Sequence, residues 1–191
     1  LTAAHCLFDK ETGLLYAVED FEFQAGWRNG RAEASRKVKS ILAHPKYRFD
    51  GANTVEKVSQ DIAVIMLNEA IHSQNIQPFI VAPLPPRGQG VVVVSYAKGH
   101  RDVPSVHSLC KVRAEQKKVL LLTCDVDYGA SGAPVFIISG GDAKIVSLIS
   151  AMTWLDNEKM SLGVSLEDVL GEFADLVRHN EFTARWFSSS D

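Results

Sequence analysis

Short runs of β-branched and aromatic residues recur along this chain, each closed by a turn dipeptide, and that punctuation admits few folds. Runs at 21–26, 37–43, 61–67, 90–96, 119–123, 134–139 and 144–151 predict strands. Asn29-Gly30, His44-Pro45, Asp50-Gly51 and Gly140-Gly141 supply the turns between them. Many short strands so separated predict an all-β barrel or sandwich. The run 61–67, Asp-Ile-Ala-Val-Ile-Met-Leu, is apolar on both faces after its first residue and reads as a buried strand. One segment breaks the pattern. Over 166–177, Leu166, Val169, Leu170, Phe173, Leu176 and Val177 recur at helical spacing, with Glu167, Asp168, Glu172 and Asp175 opposite. Ser165 is placed to cap that helix. Its polar face is acidic rather than basic, so the apolar stripe is expected to pack rather than to lie on a membrane.

Charge and length narrow the function classes. Lysine and arginine total 20 against 23 acidic residues, a net charge of −3, which lacks the basic footprint of a nucleic-acid binder. No apolar run reaches the ~20 residues that a membrane helix needs. The 191 residues suit one domain or two packed lobes. The proline-rich stretch 83–86 is a candidate linker, dividing a lobe at 1–83 from one at 84–191. The chain opens on Leu1-Thr2-Ala3-Ala4-His5-Cys6, which reads as the middle of an element. Residues are therefore expected to be missing upstream, the first lobe to be incomplete, and the fragment to be unstable or inactive alone through an unpaired strand edge. Three cysteines, Cys6, Cys110 and Cys124, leave an odd thiol. Cys110 and Cys124 can close a modest loop; three reduced, buried thiols are the alternative.

Three segments could carry chemistry. Ser131 lies in Gly129-Ala130-Ser131-Gly132-Ala133-Pro134, where small neighbours leave a hydroxyl uncovered and two glycines permit a tight turn. Such a turn can aim the amides of Gly129 and Ser131 at one point, as an oxyanion requires. A glycine-rich turn that happens to contain serine is the bland alternative. A hydroxyl needs a base within hydrogen-bond reach to become a nucleophile. His5, read as ending a buried strand, titrates near neutral pH and can serve, although a lone histidine is usually structural. Asp61 opens an apolar strand, where a carboxylate is costly unless paired, and an imidazole is a fitting partner. The order His, Asp, Ser excludes the α/β-hydrolase arrangement, as does Ala133 in place of the second elbow glycine. The other histidines show no metal-ligand spacing, so no metal or other cofactor is expected. Trp27, Trp154 and Trp186 are expected to be packing residues.

Together, Leu-Thr-Ala-Ala-His-Cys, Asp-Ile-Ala-Val-Ile-Met-Leu and Gly-Ala-Ser-Gly-Ala-Pro resemble the signature segments of trypsin-like (chymotrypsin-fold) serine proteases. The likeness is closest to compact bacterial secreted members related to the glutamyl endopeptidases. It implies two packed antiparallel six-stranded β-barrels, the N-terminal one incomplete here, with a C-terminal helix. It implies a serine endopeptidase in which Ser131 attacks, His5 shuttles the proton, Asp61 orients His5, and the Gly129 and Ser131 amides form the oxyanion hole. A catalytically inactive protease-like scaffold is the alternative. Protein or peptide is the implied substrate, and a secreted or periplasmic monomer the implied setting. By the same resemblance, Cys6 would pair with an upstream cysteine, and Ser150 begins the substrate-binding strand. Ala130 stands where animal trypsins carry an acid, so activation by a freed N-terminus is not expected. Asp125, six residues before Ser131, is either the acid at the base of the primary pocket or a solvated loop acid. Met152, where a glycine usually opens that pocket, would narrow it. Ile149, aligned with a histidine of the glutamyl endopeptidases, disfavours acidic substrates.

Overall fold

The computed structural model describes residues 1–51, 54–96 and 102–178. Strands β1 (Glu22–Ala25), β2 (Ala34–Ala43) and β3 (Ala63–Leu67) form one antiparallel sheet in that order. The second sheet is built from β4 (Ile80–Val81), β5 (Gly90–Ser95), β6 (Ser105–Gln116), β7 (Val119–Leu122), β8 (Pro134–Ser139), β9 (Asp142–Leu155) and β10 (Glu158–Ser165). Its order is β10-β7-β6-β5-β8-β9-β4, and β10 also pairs with β9. The strands β5 to β10 therefore close into a six-stranded barrel, with β4 outside it, parallel to β9. Closure removes the exposed strand edges that an open sheet would leave. A short helix, α1 (Val55–Val58), precedes β3, and α2 (Glu167–Arg178) follows the barrel. The fold is all-β with a C-terminal helix and is chymotrypsin-like. The first sheet contributes three strands among the described residues.

Alternation explains the barrel wall. In β5, Val91 and Val93 point inward and are fully buried with Leu120, Leu122 and Val135. A separate cluster binds the two sheets together. Leu42 and Ile62 from the first sheet's side pack against Phe136, Leu148 and Val164 of the barrel and against Leu166, Val169 and Phe173 of the α2 segment. Each large side chain so buried stabilises the seam by about 1.5–3 kcal/mol. The helix is thus a packing element, as its stripe predicts; the side chains of Leu176 and Val177 lie outside the described residues. The Ser165 hydroxyl accepts from the Glu167 N–H at 3.4 Å, the cap the sequence predicts. A polar link reinforces the seam. His44 is buried; its Nδ1 accepts from the Lys46 N–H, so its Nε2 carries the proton and donates to Glu172 Oε2 at 2.9 Å.

Two local expectations change. His5 does not end a strand: it lies in a single 3₁₀ turn, Ala4–Leu7, because the bridge between Thr2 and Ala63 ends the extended segment before it. Asp61 and Ile62 precede β3 rather than open it, since the Asp61 N–H is taken by the Val58 carbonyl at the end of α1.

Cys110 of β6 and Cys124, just beyond β7, form a disulfide whose sulfurs sit in the barrel core. It ties β6 to the loop that runs on to Ser131. Replacing both cysteines by serine is expected to cost about 3 kcal/mol, the chain-entropy value for a loop of this size. Urea denaturation of the oxidised and doubly substituted proteins measures it. Cys6 forms no disulfide with another of the described residues.

Candidate active site

The N-terminal segment is pinned to the strand that follows the acid. Thr2 exchanges two backbone hydrogen bonds with Ala63, at 3.0 and 2.8 Å, and Ala3 and Ala4 are completely buried. Small residues let this segment lie flat against β3, and the turn that follows brings His5 to Asp61. The contact is double. The His5 backbone N–H donates to Asp61 Oδ1 at 2.8 Å, and His5 Nδ1 lies 2.7 Å from Asp61 Oδ2. A carboxylate only accepts, so Nδ1 carries a proton, and in the neutral ring it is Nε2 that keeps the lone pair. Asp61 is 4 % exposed. A third donor reaches it: the Ser150 hydroxyl, 2.5 Å from Oδ2. Three hydrogen bonds offset the cost of burying this charge.

The electrostatics of His5 follow from that pairing. Burial alone disfavours the imidazolium and lowers its pKa. The hydrogen bond to Asp61, the neighbouring Cys6 sulfur and the attraction of the Asp61 charge outweigh burial, so the pKa is raised above the ordinary 6.5.

The Ser131 turn is held from both sides. Gly129 and Gly132 adopt φ of 92° and 78°, a region that side chains rarely enter. The Gly132 N–H donates to the Ile149 carbonyl at 2.7 Å, and the Ala133 N–H to the Ala130 carbonyl at 2.9 Å. The amides of Gly129 and Ser131 have no acceptor among the described residues. On its other side, the turn abuts the His5 segment. A Cβ on Gly132 would stand 2.5 Å from Thr2 Oγ1 and 3.2 Å from the Ala3 nitrogen. Gly132→Ala is therefore expected to destabilise the fold by roughly 1–3 kcal/mol, through backbone strain and the clash with Thr2. Guanidinium denaturation measures that cost.

His5, Asp61, Gly129, Ser131 and Ser150 line one cavity of about 760 Å³. The family model described as Trypsin matches residues 1–121 of the 191. The chain belongs to the trypsin family. No curated protein matches it. The trypsin fold is that of hydrolases of the serine-protease type. The match takes in the His5 and Asp61 segments and stops before Ser131.

In this trypsin-family chain the remaining candidates separate. Ser150 lines the cavity and also bonds Asp61, a partnership the sequence did not signal because the two lie 89 residues apart. Asp125 does not line the cavity. Its side chain is 75 % exposed, and its Oδ1 lies 2.8 Å from Lys159 Nζ. Lys159 does line the cavity and was not foreseen; a lone lysine in a hairpin reads as a solvated residue. Trp154, expected to pack, is instead 70 % exposed at the cavity, since the β9–β10 ribbon extends past the barrel wall there. Trp27 is half-buried, and Trp186 lies outside the described residues. Met152 and Ile149 line the cavity, and Ala130 is buried beneath the turn. No group of residues suited to hold a metal occurs among the described residues. No helix among them is long and apolar enough to cross a membrane.

Proposed function

We propose that this chain is a serine endopeptidase that cleaves peptide bonds through Ser131, His5 and Asp61. One observation carries the reading: a buried carboxylate orients the His5 ring through Nδ1, and that ring shares a cavity with an accessible serine on a glycine-flanked turn. In the first step the Ser131 oxygen bonds to the scissile carbonyl carbon, and its proton passes to His5 Nε2. The resulting oxyanion is received by the Gly129 and Ser131 amides, which have no competing acceptor among the described residues. Collapse of that intermediate breaks the C–N bond, and His5 returns the proton to the leaving amine. Water then attacks the acyl-enzyme with His5 again as base, releasing the acid and restoring Ser131. The Asp61 carboxylate stabilises the imidazolium through Nδ1, and Ser150 holds that carboxylate in place. No cofactor takes part in these steps.

On this reading, residues 1–83 and 84–191 are two lobes of one peptidase domain acting on protein or peptide substrates as a monomer. The disulfide suits an oxidising compartment, secreted or periplasmic. The short motifs favour the compact bacterial branch of the family. A fluorophosphonate probe on the full-length protein tests the assignment. Covalent labelling mapped by mass spectrometry to Ser131 is the expected result. An unlabelled, folded protein would instead be the inactive scaffold.

A further inference from the structure

The charges at the cavity wall bear on which side chain it receives. Lys159 of β10 lies opposite Trp154 of β9. Its Nζ is 2.8 Å from Asp125 Oδ1 and 3.1 Å from Asp127 Oδ1, so one ammonium occupies both carboxylates. Those hydrogen bonds also hold its pKa above the usual lysine value. Residues 126–131 and 149–154 add apolar groups to the same cavity, Val126, Ile149 and Met152, with Tyr128 and Trp154 at 73 % and 70 % exposure, while Lys10, Arg48 and Lys57 line it from the segments of the first sheet. Two aromatic rings left in water at a cavity offer large contact area to an incoming apolar group.

We propose that Lys159 sets the residue preference by occupying Asp125 and Asp127, so that this wall receives an aromatic or large aliphatic substrate side chain rather than a basic one. The proposal rests on the endopeptidase reading of Ser131. A substrate arginine or lysine would meet the Lys159 ammonium at this wall, with the cavity-lining Asp127 already paired to it, and like charges repel. A substrate glutamate or aspartate would meet an ammonium already neutralised. An apolar side chain displaces water from Met152, Tyr128 and Trp154 without disturbing the Lys159 ion pairs.

The test uses the full-length protein, with active sites counted by fluorophosphonate titration. Matched peptides carry Phe, Leu, Arg or Glu before the scissile bond, and kcat/KM is compared. Phe and Leu are expected to exceed Arg and Glu by about tenfold or more. Lys159→Met should uncover the two carboxylates and raise the Arg-to-Phe ratio by about tenfold. Adding Asp125→Asn and Asp127→Asn should return that ratio to its starting value. Ratios per titrated site are insensitive to partial misfolding, and Lys159→Gln provides a second substitution should the methionine variant fail to fold. A preference for Arg or Glu in the unsubstituted protein, or an unchanged ratio in the lysine variants, overturns the proposal while the endopeptidase reading stands. A protein that neither labels nor cleaves any of the four peptides overturns both.

Discussion

In Ser131→Ala, peptide hydrolysis is expected to fall about a millionfold in kcat with KM little changed, the scale of nucleophile removal in other triad hydrolases. The substitution deletes one oxygen from a half-buried side chain on a turn whose backbone is fixed by other groups. Gly132 still donates to Ile149, Ala133 to Ala130, and both glycines keep their conformations. The fold should therefore survive, with a melting temperature within a few degrees of the parent. The cavity and the Gly129 and residue-131 amides also remain, so peptides should still bind, and a residual rate about 10³–10⁴ above that in water should persist. Steady-state kinetics on refolded, monodisperse protein, with calorimetry as the folding control, makes the measurement. A fall of tenfold or less would mean that another group attacks the carbonyl, and the assignment of Ser131 would be abandoned.

The parts of this fold that were legible in the sequence are those whose burial is written in apolar residues. β8 spans the expected 134–139, β1 and β3 fall inside their expected runs, and α2 lies within one residue of its stripe. β6 was not legible: of its twelve residues only Cys110 and Val112 are buried, so the pattern reads as polar. β10 was hidden for the opposite reason. Its buried positions include Ser161, Gly163 and Ser165, small residues chosen to let β9 approach; a Cβ on Gly163 would stand 2.3 Å from Ser147 Oγ. A signal for that hairpin was nevertheless present. Asp156-Asn157 occupies φ of 52° and 65°, the pair of left-handed positions that a two-residue turn demands and that these residues tolerate. The equivalent turn at Lys117-Lys118, with φ of 50° and 67°, carried no such signal, because lysine rarely adopts that region. The site divides in the same way. His5, Asp61 and Ser131 stand in short segments with local reasons to be unusual: an imidazole after small residues, a carboxylate at the door of an apolar run, a hydroxyl between glycines. The Ser150–Asp61 bond and the Lys159 ion pairs depend on strand register, which no local pattern specifies.

Asp61→Asn is expected to lower kcat/KM at neutral pH by about 10⁴, the cost of an acid-to-amide change in a Ser-His-Asp triad. The loss has two physical parts. An amide can donate to Nδ1, which favours the ring tautomer with its proton on Nε2 and removes the lone pair that must accept from Ser131. It also removes the charge that stabilises the imidazolium as the proton transfers. The pH dependence separates this role from mere packing. In the parent, activity requires the neutral ring, so kcat/KM should rise with pH through the raised His5 pKa, above 6.5. Without the carboxylate, burial acts unopposed, and the inflection should move down to 6.5 or below. Stability changes in the matching direction. A histidine whose folded pKa is raised contributes stability that is fully present below about pH 6.5 and is lost as pH rises through the folded value. Asp61→Asn should therefore destabilise the protein more at pH 6 than in alkaline solution. A neighbour that only filled space would cost the same at both. An unmoved inflection together with a pH-independent stability loss would show that Asp61 supports the fold without acting on His5.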